Sequence, residues 1–584
     1  MRAVVGLIAA TTLAFAGVLA IHPEQAVVWG TTGVIAIGYA VAILAIGGLT
    51  WISRARAGWE ATYAIGVGWR TPWLTLVLLT WGVASVLNTE GIYHDARLRS
   101  ELGPSTLRHR SPADAFDAWL ASQRSECTAG APGEIPMVLV AAPGGGIRAA
   151  YWTAAVLDSL FGGSTDECTL RRLFAISGVS GGSVGAATWL VARAAERSGT
   201  AAVERLAGDR ALASTAAGLL LRDVYQPFTG ISTAWSDRAA LLEDGWVAAS
   251  QPYLSSSAES GIGGRWSQLG GGLPWVPIVM LNSSSVNDGC RLLISNTGEL
   301  ASTHGSPCGN DQHDAIGSIS TATQPILNAR ARAEEGGENC DAPQVGLTVA
   351  TAALLSARFP LVSPSGAVVH CVAEQKPFAD SAAVRLVPNV SYAVDGGYYE
   401  NSGILTLLQL WSEVEPLVRR SNRAASQSRP IIVPWIVVVD NHYRSAARIA
   451  ARGRPYELLA PVRSLRNKRI LGQAALEEMA RLSMRPTPER CARSSAGSSS
   501  AGDGAVTITS DSLRREDIAR GCFVVIAPAK RPSVGAPLGW VLSSTSMSDL
   551  QSQLRERMQS GRSGVDRSLE RLLTLLGGGE KDGR

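Results

Sequence analysis

The stretch LFAISGVSGGSVGAATWLVARAAERSG (173–199) decides the fold of this protein. It begins with a short apolar run of the kind that forms a buried strand, turns on glycines, and continues with the composition of a helix. A similar unit lies upstream, where IPMVLVAA (135–142) leads through glycines into IRAAYWTAAVLDSLFG (147–162). Repeated strand–glycine–helix units predict an α/β fold with a mainly parallel sheet.

The rest of the chain contains further apolar runs that predict strands of the same sheet: PIVMLNSS (277–284), IIVPWIVVVDN (431–441) and CFVVIAP (522–528). TVATAALLSARFP (348–360) predicts a helix that ends before Pro360. Residues 200–345 are less regular, 492–504 form a low-complexity loop, and 546–576 predict an amphipathic helix.

The glycine turn at 178–182 has the pattern G-x-S-x-G, with Ser180 at its centre. A sharp turn from strand to helix needs glycines beside a nucleophile, and it raises the serine hydroxyl above the sheet edge. The helix N-terminus that follows favours a developing negative charge. The pattern therefore predicts a nucleophilic serine, although a structural Gly/Ser turn would have the same letters.

Two other glycine-rich turns carry residues suited to the same chemistry. Gly144, Gly145 and Gly146 follow the first strand, and successive unsubstituted backbone N–H groups form a cradle for an oxyanion or a phosphate. Arg148 follows them and is a candidate to hold this loop or contact an anion. Asp395 begins the Asp-Gly-Gly turn within YAVDGGYYENSG (392–403), from which a carboxylate is able to act as the base for a serine.

In this order, the three motifs resemble those of the patatin-like phospholipase family. The resemblance covers residues 135–410 and includes three further matches: DRAALLE (237–243), a strand ending in Leu281-Asn282, and SARFPLVSP (356–364). The sequence departs from the family at Ala149-Ala150, where many members have glycine, and by a long gap between Ser180 and Asp395. Both departures leave the size of the substrate open.

The resemblance implies a patatin-like three-layer α/β/α sandwich, and the apolar stretches near the start of the chain predict N-terminal transmembrane helices before it. It implies Ser180 as nucleophile and Asp395 as its base, without a histidine. Gly144, Gly145, Gly146 and Gly181 would form the oxyanion hole, and Arg148 would be the basic residue of the glycine loop. The implied reaction is hydrolysis of lipid acyl esters through an acyl-serine intermediate, with no cofactor and no metal.

Two other interpretations remain open from the sequence. An α/β-hydrolase triad would use Ser180, Asp395 and His442, which stand in the required chain order, and Asp440 could serve as its acid as well. A catalytically inactive membrane protein could bind lipid through the same fold. Esterase assays on variants of Ser180, Asp395 and His442 distinguish the three interpretations.

The composition indicates that part of the chain lies in lipid. Hydrophobic residues make up 46% and charged residues 17%, against about 25% charged in ordinary soluble domains. Three apolar stretches predict transmembrane helices: 3–21, 27–52 and 72–87. The first also fits a signal peptide, since Arg2 precedes it, but its length and the stretches that follow favour a retained span.

The side of the membrane follows from the arginines of the short loops. Arg54, Arg56 and Arg70 lie between the second and third stretches, while the loop between the first two has no Lys or Arg. The positive-inside rule then places the N-terminus in the cytoplasm and, with three spans, the catalytic domain outside. Four arginines between residues 97 and 110 favour the opposite side, so a cytoplasmic domain is not excluded.

The chain has eight cysteines, all after the predicted spans. An even number confined to the exported part predicts disulfides, with Cys127–Cys168 and Cys491–Cys522 as candidate pairs; eight reduced, buried thiols are the alternative. Neither CxxC motifs nor Cys/His spacings indicate a zinc site.

These observations predict four regions and one main partner. The regions are a membrane anchor of about three helices (1–90), a linker (91–134), a patatin-like hydrolase domain (135–545) with an insertion at about 200–345, and a C-terminal helix and tail (546–584). The predicted partner is membrane lipid. A net charge of +4 gives no reason to expect nucleic acid.

Overall fold

The structure is a computed structural model. It describes residues 2–55, 73–87, 96–97, 111–123, 134–162, 167–223, 237–254, 261–287, 289–297, 347–359, 362–374, 385–424, 430–442, 460–485, 491, 521–529, 539–563 and 566–577. The low-complexity segment 492–504 and most of the arginine-bearing segment 97–110 lie outside this set, as does Pro360.

The helices are, in chain order, α1 (Arg2–Ile21), α2 (Ala26–Ala55), α3 (Trp73–Leu87), α4 (Pro112–Ser122), α5 (Gly146–Phe161), α6 (Glu167–Arg171), α7 (Gly181–Ala194), α8 (Gly199–Leu206), α9 (Asp209–Ala217), α10 (Arg238–Leu254), α11 (Val349–Ser356), α12 (Ile404–Ala424), α13 (Ala460–Met484), α14 (Ser544–Arg562) and α15 (Arg567–Leu575). The strands are β1 (Glu134–Ala142), β2 (Leu173–Val179), β3 (Ile278–Ser285), β4 (Arg291–Ser295), β5 (Gly366–Glu374), β6 (Arg385–Asp395), β7 (Ile431–Val439) and β8 (Cys522–Ile526). Together they form a mixed α/β fold with a central sheet.

The chain divides into two compact units. The N-terminal unit comprises Met1–Ala96, Gly208–Ala249 and Arg358–Ala367, and the sheet unit comprises Arg97–Ala207, Ser250–Ala357 and Val368–Arg584.

The N-terminal unit contains the predicted apolar helices. Within the described residues, one helix, Pro23–Trp51, is long and apolar enough to cross a membrane, and Gly6–Ile21 is a shorter apolar helix. Large apolar side chains along both helices are exposed, among them Leu7, Val28 and Ile43. This exposure of apolar surface is what a lipid-facing helix requires.

A segment from the predicted insertion packs against these helices. α9 and the π-helical turn Gly218–Asp223 that follows it share a buried apolar cluster with α1 and α2. The Asp209 carboxylate accepts the Thr31 N–H at 3.1 Å, where α2 is broken at Gly30. The Arg222 guanidinium donates to the carbonyl oxygens of Ala20 and Ile21, at 2.6 and 3.0 Å. The segment is therefore part of the N-terminal unit.

The sheet of the second unit has eight strands in the order β5-β6-β3-β2-β1-β7-β8, with β4 also paired to β3. The centre is parallel, as the sequence predicts: β1 pairs with β2 and β7, β2 with β3, and β7 with β8. β4 and β6 run antiparallel to β3. The carboxyl ends of parallel neighbouring strands lie at the same edge of a sheet, so the turns after β1, β2 and β7 meet at that edge.

β6, the antiparallel neighbour of β3, ends near this edge. Its last three residues pair with the end of β3, and Asp395 is opposite Ser283. Asn282, next to Ser283, is opposite Val179 at the end of β2. The antiparallel strand therefore ends beside the turn that carries Ser180, which explains how a distant carboxylate reaches the serine.

Helices cover both faces of the sheet. Met137, Leu139 and Ala141 of β1 lie in one apolar cluster with α4 and α12, and the alternate residues Val138 and Val140 are also fully buried. α12 contacts β1, β2 and β7, while α7 contacts α5 and β1, β2 and β3. A sheet buried on both faces explains why these strands are continuous apolar runs.

Two segments differ from the sequence predictions. The predicted helix 546–576 is two helices, α14 and α15, because Asp566 caps α15 by accepting the Leu569 N–H at 3.0 Å. The predicted linker 91–134 contains α4, whose Phe116 and Trp119 are buried in the core of the sheet unit.

Free cysteines are absent from the side chains that the structure describes. Cys491 is bonded to Cys522, as the sequence predicts. Cys168 is also disulfide-bonded, as is Cys290. Cys127, the partner predicted for Cys168, lies outside the described residues.

Candidate functional site

Ser180 lies at the turn between β2 and α7. Its backbone has φ 53° and ψ −125°, a conformation that residues with a side chain rarely adopt. The turn is tight because α7 begins directly against α5: a methyl group on Gly181 would overlap the carbonyl oxygen of Gly146. The G-x-S-x-G pattern thus forms the strained strand–helix turn that the sequence predicts.

Asp395, at the end of β6, contacts the serine directly. The Ser180 hydroxyl donates to Asp395 Oδ2 at 2.5 Å, and both residues are buried, 7% and 6% exposed. The Gly397 N–H donates to the other oxygen, Oδ1, at 2.8 Å. The carboxylate is therefore fixed on both sides, with one oxygen directed at the hydroxyl.

Buried hydroxyl groups hold the backbone of the turn. The Ser180 N–H donates to Ser356 Oγ at 3.1 Å, and Ser356 Oγ lies 2.7 Å from Ser183 Oγ. Ser356 Oγ also donates to the carbonyl oxygen of Asn282. Ser356 is the last residue of α11, so the end of this helix stabilises the strained turn.

The Asn282 side chain connects the turn to α12. Its Nδ2 donates to Ser177 Oγ at 2.9 Å and to the Gly178 carbonyl at 2.7 Å, and its Oδ1 accepts from Thr406 Oγ1 at 2.5 Å. Thr406 in turn accepts from the buried Arg291 at 2.9 Å. This network holds Ser177 and Gly178, the residues of β2 that lead into the turn at Ser180.

The glycine loop lies next to Ser180. A methyl group on Gly144 would stand 3.1 Å from Ser180 Cβ. The Gly144 N–H donates to the Asn401 carbonyl at 2.9 Å and is therefore not free to bind an oxyanion. By contrast, the N–H groups of Gly145 and Gly181 have no acceptor within the described part of the chain. Of the four predicted oxyanion donors, Gly144 thus differs from the expectation because its loop is anchored through it.

Arg148 points away from the serine and toward the turn after β7. Its Nε and Nη2 donate to Asn441 Oδ1 at 3.1 and 2.9 Å, and Nη2 lies 2.9 Å from His442 Nε2. Burial lowers the pKa of Arg148, and the nearby Asp440 carboxylate opposes that shift. Arg148 is thus part of a side-chain cluster that holds the glycine loop.

His442 belongs to the same cluster rather than to the serine. Its Nδ1 lies 3.3 Å from Asp440 Oδ1, and its side chain is 51% exposed. The structure therefore brings Asp395 to Ser180 and pairs His442 with Arg148 and Asp440. This arrangement favours the dyad over the triad.

Glu400 was not singled out from the sequence. Its carboxylate accepts backbone N–H groups of Ser402, Gly403 and Leu405 at the start of α12. Burial raises the pKa of Glu400, and these hydrogen bonds oppose the rise. Asn282, Ser356 and Asn441 were likewise not assigned a role. The first two lie in stretches quoted above for the family resemblance, whereas a single Asn after a strand has no sequence signature.

Groups of three or more His, Cys, Asp or Glu side chains placed to hold a metal ion are absent from the described residues.

No protein-family model matches the sequence, and no curated protein matches it. Among solved structures, the chain is similar to human GIVD cytosolic phospholipase A2, with a TM-score of 0.27 and 12% sequence identity over 80% of this chain and 67% of that chain. A similarity at this level defines neither fold nor activity.

Proposed function

We propose that this protein is a membrane-anchored serine acyl hydrolase of the patatin-like type, which cleaves acyl esters of lipids through a Ser180–Asp395 dyad. One observation carries the proposal. A serine hydroxyl at a strained strand–helix turn donates a 2.5 Å hydrogen bond to a buried carboxylate. A nucleophile within hydrogen-bond reach of its base is the arrangement that covalent catalysis requires.

The reaction has two steps. Ser180 Oγ attacks the acyl carbonyl carbon while its proton passes to Asp395, and the ester C–O bond breaks as that proton moves to the departing alcohol oxygen. In the second step, Asp395 takes a proton from water, the resulting hydroxide attacks the acyl-serine, and Ser180 recovers its proton as the acid leaves. Neither step needs a group from outside the protein other than water.

Negative charge develops on the carbonyl oxygen in both steps. The N–H groups of Gly145, Gly146 and Gly181 are the proposed donors, with the N-terminus of α7 adding its dipole. Gly144 has a different part in this proposal, since its N–H is bonded to Asn401. It holds the loop in place.

The proposed arrangement of the hydrolase domain rests on its sheet and on the helices that cover it. We assign a patatin-like three-layer α/β/α arrangement to 135–545, supported by helices on both faces of a mainly parallel sheet. The proposed anchor consists of α1, α2 and α3, supported by their apolar exposed surface. A hydrolase tethered in this way meets bilayer lipid at high effective concentration, which is why lipid is the proposed substrate.

We place the catalytic domain on the extracytoplasmic side. Disulfides persist in oxidising compartments, and Cys491–Cys522 is a disulfide, while Cys168 and Cys290 are also disulfide-bonded. The arginines of the loop after α2 support the same orientation.

The test is turnover of the full-length protein in mixed micelles, with short-chain p-nitrophenyl esters and with phospholipid. Ser180→Ala is expected to lower the rate by at least about 10³-fold. The matched control is Ser412→Ala, which removes an exposed hydroxyl bonded within α12. Full activity in Ser180→Ala would refute the enzyme proposal, and hydrolysis of short esters without phospholipid would refute the lipid substrate.

A further inference from the structure

We infer that Asn441 is a positioning residue for the reaction: it fixes the peptide between Gly144 and Gly145 and so directs the Gly145 N–H. The inference rests on the proposed function, because it assigns Asn441 a role in the oxyanion hole. Asn441 itself does not touch the reacting atoms.

Asn441 follows β7, and the glycine loop follows β1, its parallel neighbour. The side chain is buried, with the residue 2% exposed, and its Nδ2 donates to the Gly144 carbonyl at 3.1 Å. Its carboxamide also lies against Gly145, where a methyl group would stand 2.6 Å from Oδ1. The amide therefore occupies the space that a side chain at 145 would need.

Arg148 determines which way this amide faces. Its two N–H groups reach Asn441 Oδ1 at 3.1 and 2.9 Å, and a guanidinium only donates hydrogen bonds. The oxygen must therefore face Arg148, which leaves Nδ2 facing Gly144. Arg148 thus acts on the loop through Asn441.

The effect on Gly145 follows from the planarity of the peptide. In a trans peptide the C=O of Gly144 and the N–H of Gly145 share one plane and point in opposite directions. Fixing the Gly144 carbonyl on Asn441 therefore fixes the direction of the Gly145 N–H. The preceding peptide is held as well, since the Gly144 N–H donates to Asn401.

An oxyanion donor lowers the barrier because it is already oriented when charge develops. Asn441→Asp is nearly isosteric but replaces the donor with an oxygen, which would repel the Gly144 carbonyl. The peptide is then expected to rotate and misdirect the Gly145 N–H. We expect kcat to fall by about 10²-fold, with KM changed by less than about threefold, because the ester in its ground state carries no oxyanion.

Asn422 of α12 offers a matched control, because its side chain binds the backbone at the first residues of β7, the end opposite to Asn441. Its Oδ1 accepts the Ile432 N–H at 2.8 Å and its Nδ2 donates to the Ile432 carbonyl at 2.9 Å. Asn422→Asp therefore makes the same change to another buried amide that binds backbone. It is expected to reduce the folded fraction while leaving kcat per active serine unchanged.

The experiment measures kcat per active serine in the full-length protein, with active sites counted by stoichiometric labelling with a fluorophosphonate. Ser180→Ala is included to test the proposed function in the same assay. The expected result is loss of turnover in Ser180→Ala, about 10²-fold lower kcat per labelled serine in Asn441→Asp, and an unchanged value in Asn422→Asp. If Asn441→Asp does not fold, Asn441→Ala is measured against the same criterion.

Two results would overturn the inference. Loss of turnover in Ser180→Ala together with a kcat per labelled serine in the Asn441 variants within about threefold of wild type would refute the positioning role alone. Full turnover in Ser180→Ala would refute the proposed function, and the positioning role with it.

Discussion

At the residue scale, the residues around Ser180 stabilise its backbone at a positive φ. Holding a serine at φ 53° costs of the order of 1–3 kcal/mol, so neighbouring contacts must stabilise it. The Ser356 hydroxyl does so by accepting the buried Ser180 N–H. Without that acceptor, the N–H would be buried and unsatisfied, which costs about 1–3 kcal/mol.

We therefore predict that Ser356→Ala lowers the free energy of unfolding by about 1–3 kcal/mol and also lowers kcat. The measurement is chemical denaturation together with ester turnover. Ser483→Ala is the control, because that hydroxyl donates within its own helix to the Ala480 carbonyl. Equal stability of the two variants would show that Ser356 does not support the turn.

Ser180 and Asp395 could be predicted as candidates because each lies in a short local motif with glycines at defined spacing. The structure places the two in contact, but their separation along the chain hides this from any local pattern. Asn441 could not be found in this way. Its function depends on β7 being the parallel neighbour of β1, and that pairing is a property of the sheet.

At the element scale, the segment Asp209–Asp223 shows that a sequence pattern does not reveal which elements a helix packs against. It lies in the region 200–345, which the sequence shows only as less regular, and the structure contains α9 and a π-helical turn there. The pattern does not show what such a helix packs against. In the N-terminal unit it covers α1 and α2, and Arg222 binds the last carbonyl groups of α1.

This contact predicts that α1 is retained as part of the folded protein and is not removed as a signal peptide. Arg222→Ala should leave the carbonyl groups of Ala20 and Ile21 without this donor. The expected loss is about 1–3 kcal/mol in the free energy that holds α1 against the rest of the N-terminal unit. The measurement is limited proteolysis in detergent of a protein with an N-terminal epitope. Wild type should keep the epitope longer than Arg222→Ala.

The control for that experiment is Arg481→Ala, since Arg481 is an exposed arginine on α13. It should leave the proteolysis rate of the N-terminus unchanged. A mature wild-type protein that lacks the epitope, or identical rates in wild type and Arg222→Ala, would contradict the prediction.

At the scale of the whole molecule, composition predicted an apolar N-terminal region followed by an α/β domain. The strand predicted at 135–142 and the apolar run that opens 173–199 are both strands in the structure, because buried parallel strands are short apolar runs between glycine turns. The sequence did not predict that 208–249 and 358–367 belong to the N-terminal unit. Such an arrangement depends on contacts between distant parts of the chain, which length and hydropathy do not encode.

The disulfide Cys491–Cys522 gives a test of topology. Because both cysteines are buried, a membrane-impermeant maleimide applied to intact cells is expected to label them only after an impermeant reductant together with enough urea to open the domain without lysing the cells. Cys491→Ser with Cys522→Ser should abolish that part of the labelling. No labelling in intact cells under either condition, with labelling after lysis, would place the catalytic domain in the cytoplasm.

The most direct test of the central claim compares Asp395→Asn with His442→Ala by their rates of acyl-ester hydrolysis. Asp395→Asn keeps the size of the side chain but removes the base that contacts Ser180, so turnover should fall by at least about 10³-fold. His442→Ala removes a half-exposed ring that contacts Arg148 and Asp440, and it should retain most of its turnover. Retained activity in Asp395→Asn together with loss in His442→Ala would contradict the dyad and establish a histidine-dependent mechanism.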